Sequence, residues 1–126
     1  MNVIYGVVLV LVLAGPVPAE SKGKGPLKAR ELAERCDRAL EMSPQSTELE
    51  LAKASYCFGY LTGVVETIVL ADSGRQLVCM PAHWNMDMMV SMFQGYLREY
   101  PERQEEPASD SVASALQWSF PCERKP

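Results

Sequence analysis

The segment CMPAHWNMDMM (79–89) gathers the softest donors in the chain: Met80, His83, Met86, Met88 and Met89, with Met92 one turn further on. Thioether and imidazole ligands of this kind suit cuprous copper, so a periplasmic copper- or metal-handling protein is one reading of the stretch. Residues two apart on a helix point to different sides, so Met86, Met88 and Met89 cannot converge from one face. Met89 and Met92 read instead as core fillers beside Phe93, since methionine packs irregular gaps. No metal ligand and no cofactor is therefore assigned. Glu48 and Glu50 fit the first turn of a helix, where the dipole favours carboxylates. The chain has one histidine, no glycine-rich phosphate loop and no nucleophile–base spacing. No catalytic residue is assigned, and the chain reads as a non-enzyme.

The four cysteines, Cys36, Cys57, Cys79 and Cys122, form no C-x-x-C pair and lie far from zinc-site spacing. An even count in a short exported chain reads as a disulfide framework. Export is expected because Val3 to Gly15 is an uncharged apolar run, shorter than the roughly 20 residues that span a bilayer. Small residues Val17 and Ala19 then stand at the −3 and −1 positions of a cleavage site. The expected organisation is a signal peptide over 1–19, a flexible lead-in over 20–26, a helical domain over 27–122 and a disordered tail over 123–126. An uncleaved membrane anchor is the alternative for the first segment. After cleavage the protein would lie free of the membrane in the periplasm.

The elements that must carry these residues are all helical. LKARELAERCDRALEM (27–42) places Leu27, Leu32, Cys36, Ala39 and Leu40 on one stripe. Ser46 or Thr47 can cap a second helix running to about Ala71, apolar over most of its girth and so expected to be the most buried element. Asn85 or Asp87 opens a third helix to Tyr100, with Met89, Phe93, Tyr96, Leu97 and Tyr100 inward. Pro107 suits the first turn of a fourth, with Ala108, Val112, Ala115, Leu116 and Ser119 inward. The fold class is all-α, a compact bundle of about four helices stapled by two disulfides. Antiparallel packing of the first two helices brings Cys36 towards Cys57, and a returning fourth helix brings Cys122 to the end that holds Cys79. The pairing Cys36–Cys57 with Cys79–Cys122 is expected, and Cys57 bridging Cys79 is its main competitor among three possibilities.

Gly59 and Gly63 lie four apart within the second helix, where each glycine costs about 1 kcal/mol relative to alanine. A helix-packing role, with a neighbouring backbone approaching closely beside the Cys57 bridge, would offset that cost. It predicts a loss of several kcal/mol for Gly63→Leu through overpacking. Net charge is −4, and the few clustered basic residues lie in the lead-in, so nucleic acid is not an expected partner. The stretch 75–84 is the longest connection and would be stiffened at Cys79, with Met86 and Met88 next to it. Arg75, Gln76, His83, Trp84, Met86 and Met88 are the partner-binding candidates, because rigid loops lose less entropy on binding. Trp84 is equally suited to plugging the bundle end. Tyr96, Tyr100 and Trp118 offer a possible dimer face.

Four segments carry a resemblance: YCFGYLTGVVE (56–66), LVCMP (77–81), FQGYLREYPE (93–102) and SVASALQWSFPC (111–122). In that order they resemble the Rap/Tai immunity proteins, which neutralise peptidoglycan-cleaving amidase effectors of type VI secretion. The resemblance implies a periplasmic, disulfide-bonded helical protein that binds and occludes a cognate amidase, often as a homodimer, and catalyses nothing. Glu66 departs from an aspartate common in that family, and the segment after Pro101 lacks a histidine often found there. The matching residues are mainly glycines, cysteines and core positions, so they identify a scaffold, while partner choice resides in exposed residues. A stand-alone envelope protein on the same scaffold, without a toxin partner, is the remaining alternative.

Overall fold

Thr47 and Asn85 begin the two longest helices by the same device. Thr47 Oγ1 accepts from the Glu50 N–H (3.2 Å) while the Glu50 carboxylate accepts from the Thr47 N–H (2.8 Å), a reciprocal cap. Asn85 Oδ1 accepts from the Met88 N–H (2.9 Å). A computed structural model describes residues 24–123, and the expected signal peptide, most of the lead-in and most of the tail lie outside that range. Its helices are α1 (Ala29–Cys36), α2 (Glu48–Ala71), α3 (Met86–Glu99) and α4 (Ala108–Ser119), with short 3₁₀ turns at Ala39–Glu41 and Pro101–Glu105. Among the described residues there is no strand, only an isolated antiparallel bridge between Lys28 and Pro107.

The core is built from one stripe of each helix: Ala29, Leu32 and Cys36; Ala54, Cys57, Leu61 and Val65; Met89, Val90, Phe93 and Leu97; Ala108, Val112, Ala115 and Leu116. Both bridges form as expected, Cys36–Cys57 and Cys79–Cys122, with Cα atoms 5.1 and 4.9 Å apart. The first is wholly buried, whereas Cys79 is exposed. The one buried polar side chain among the described residues, Ser111, donates its hydroxyl to the Arg103 carbonyl (3.2 Å) and so ties the 3₁₀ turn to α4.

Three expectations are corrected. The first helix ends at Cys36 instead of continuing to Met42. The Cys36 carbonyl accepts from the Gln94 side-chain amide of α3 (3.0 Å), and the chain tightens into a 3₁₀ turn that buries Ala39 and leaves Leu40 exposed. Second, α2 is not the most buried element. At 24 residues it is about 36 Å long and outruns its neighbours of 8 to 14 residues. Leu49, Tyr56, Val69 and Leu70 are left exposed, Leu70 by 77%.

Third, the two glycines do not receive a neighbouring backbone. A Cβ at Gly59 or Gly63 would meet nothing within 4 Å. At 100° per residue, Gly59 lies about 200° around the helix from Cys57. The pair therefore faces solvent, away from the bridge, and the overpacking cost expected of Gly63→Leu has no basis within one chain.

Surface charges fasten the entry to α1. Glu105 takes Lys28 (2.7 Å) and Arg30 (2.9 Å), and the Lys28 hydrogen bond, aided by the Arg30 charge, holds its carboxyl below the ordinary value of 4.5. The folded value lies below the unfolded one, so the pair's contribution is present above pH 4.5 and is lost as pH falls through the folded value. Glu105→Gln should therefore lower urea-unfolding stability at pH 7, and the difference from the parent should close on acidification. A difference that grows as pH falls would contradict the assignment.

Candidate functional site

The connection from α2 to α3 is pinned at three points. The Asp72 carboxylate accepts from the Leu77 N–H (2.9 Å) and the Val78 N–H (3.2 Å), closing a turn that passes through Gly74 and Gln76, both at positive φ (83° and 54°). Val78 is buried as an apolar anchor. Cys79 is then fixed twice to the C-terminal segment, by its bridge to Cys122 and by its N–H donating to the Phe120 carbonyl (2.9 Å). A side chain on such a segment gives up little further backbone entropy when a partner arrives.

The candidates divide along this connection. Arg75, Gln76 and His83 are exposed, and Leu77, half exposed, joins them. Trp84, Met86 and Met88 are partly buried and pack against the core. The Met86 sulfur also accepts from the Thr62 hydroxyl of α2 (3.8 Å). Arg75, Gln76, Leu77 and His83 are thus the exposed side chains of the connection, while Trp84 leans on the core. Met89 and Met92 lie in the core and Met80 packs against it. Among the described residues no group of three or more His, Cys, Asp or Glu could hold a metal ion.

The aromatic residues of α3 and α4 form one cluster. Tyr96 lies 5.0 Å from Tyr100 and 6.0 Å from Trp118 between ring centroids, and Tyr100 meets Trp118 edge-on at 6.2 Å. Tyr96 is in the core, whereas Trp118 is 46% exposed, so the cluster is mainly a cap on the core with one open indole face.

Sequence reasoning missed the outer surface of α2. Tyr56, Gly59, Gly63 and Leu70 are exposed there, and a shallow apolar groove of about 550 Å³ runs between α2 and α4, lined by Gly59, Tyr60, Gly63, Thr67, Ser109 and Ala113. Burial in this seam pushes the Tyr60 hydroxyl above its ordinary value, against an opposing hydrogen bond to Ser109. The signal that could have found this surface is a charge count, since Glu66 is the only charged residue between Ala54 and Ala71.

Comparison with curated proteins and with solved structures returns no match. The model of one family, the Rap1a immunity proteins, matches residues 28–122, from the start of α1 through the last cysteine. With that match covering most of its length, the chain belongs to the Rap1a immunity protein family.

Proposed function

We propose that this immunity protein works in the periplasm, where it binds a peptidoglycan-cleaving amidase effector delivered by a type VI secretion system and occludes its catalytic cleft. The family match over residues 28–122 carries the reading. Two disulfides, with no free cysteine among the described residues, support an oxidising compartment. The pinned connection 72–85 supports its choice as the inhibitory element: it is stiff, it exposes Arg75, Gln76, Leu77 and His83, and it needs no chemistry of its own. Inhibition is by occupancy, without turnover, and the protein acts as a homodimer.

The test is titration of the purified, oxidised protein into a cell-wall cleavage assay with a type VI amidase effector, sought first among the neighbouring genes. Stoichiometric inhibition is expected. Arg75→Ala should weaken inhibition at least tenfold, about 1.4 kcal/mol, with the melting temperature unchanged because the side chain is exposed. Undiminished cleavage at excess inhibitor would overturn the reading. Full potency in the Arg75 variant, and also in a Leu77→Ala variant, would move the contact away from this connection.

A further inference from the structure

We propose that the outward face of α2 is a self-pairing surface on which a second copy of the chain docks antiparallel, about a two-fold axis level with Leu61. This gives a surface to the homodimer of the reading above and rests on that part of it alone; it is independent of what the effector is. The face is exposed at Ala52, Ser55, Tyr56, Gly59, Gly63, Glu66, Thr67 and Leu70. These positions form four couples equidistant from residue 61. Under the two-fold, Gly59 meets Gly63, Ser55 meets Thr67, Tyr56 meets Glu66 and Ala52 meets Leu70, each couple occurring twice.

Shape and charge both suit this occupant. The glycines at the crossing present no side chain, with open space where a Cβ would be, so two helix backbones can approach closely. Thr67 turns its hydroxyl inward onto the Gly63 carbonyl (2.6 Å), which leaves its methyl for the partner. Leu70, 77% exposed, gains a small residue to pack over. Glu66, the one charged residue of the eight on this face, has no ion-pair partner among the described residues. It would arrive over the partner's Tyr56, and the Arg35 guanidinium already lies 4.5 Å above that ring. One carboxylate and one guanidinium per copy thus meet twice, with a tyrosine hydroxyl available to donate to each carboxylate.

Area brings α4 into the contact. A helix about 36 Å long and 10–12 Å wide offers a footprint of roughly 400 Å², short of the roughly 800 Å² per partner of a standard interface. The apolar seam with Ser109 and Ala113 lies beside the glycines and extends the footprint.

The experiment is light scattering on the purified, oxidised protein with three variants, each checked by melting temperature. The parent should have the mass of two chains. Gly63→Arg should halve the mass while the chain still melts as a folded, cooperative domain, since the lone chain has room for the side chain. Glu66→Arg should raise the dimer dissociation constant at least tenfold, and Arg35→Glu added to Glu66→Arg should bring it back towards the parent. A parent with the mass of one chain would overturn both the dimer and this face. A dimer that tolerates Gly63→Arg, or a charge swap without rescue, would overturn the face alone. A dimer obeying all three variants while inhibiting no amidase would uphold the face and overturn the proposed function.

Discussion

Alanine at both Cys36 and Cys57 should lower stability by at least about 3 kcal/mol, towards the upper part of the 2–5 kcal/mol range for small disulfide-bonded domains. The same change at Cys79 and Cys122 should cost less. Loop closure alone would rank them the other way. The bridges span 21 and 43 residues, and a doubling of loop length is worth only about 0.6 kcal/mol in favour of the longer. Burial decides the order. Cys36 and Cys57 are wholly buried among Leu32, Leu61 and their neighbours, so truncation leaves a void as well as a freer unfolded chain. Cys79 is exposed, and its loss removes only the tether. Guanidinium unfolding of the two double variants checks this, and a less stable Cys79/Cys122 variant would show that chain entropy dominates.

Phe93→Ala should cost about 3–5 kcal/mol and lower the melting temperature by more than about 12 °C, at roughly 4 °C or more per kcal/mol for a domain near 100 residues. Phe93 is the largest fully buried side chain among the described residues and sits on α3, which also gives Met89, Val90 and Leu97 to the core. Leu49→Ala is the control at the opposite extreme, removing a side chain that is 65% exposed and so expected to fall within about 0.5 kcal/mol of the parent. A shift of only a few degrees for Phe93→Ala would mean that the core repacks far more readily than its interlocked burial implies.

Much of this architecture was legible in the residues. Thr47, Asn85 and Pro107 announced three helix starts, because caps and proline act locally and need no knowledge of the rest of the fold. The bridges followed from helix lengths and the direction of each turn. What failed was the assignment of inner and outer faces on α2. Its residues are apolar nearly all round, so periodicity could not say which stripe the core would take. The end of α1 was misplaced because a side chain 58 residues away, Gln94, takes the Cys36 carbonyl. Of the site candidates, exposure singled out Arg75, Gln76 and His83, while Trp84, Met86 and Met88 lean on the core. Loop length alone could not separate the two groups, since one connection supplies both.

The bridge between Lys28 and Pro107 bears on how the molecule comes apart. The Ala29 N–H donates to the Glu106 carbonyl (2.9 Å) and the Ala108 N–H to the Leu27 carbonyl (2.7 Å), so the first helix is sewn at its origin to the last. At the other end of the sequence, Cys122 is riveted to Cys79. Neither end of the described domain then offers a loose thread from which it could unzip. A protease would find little to grip in this domain until its entire body opened at once, and survival would be governed by the rarest, global opening.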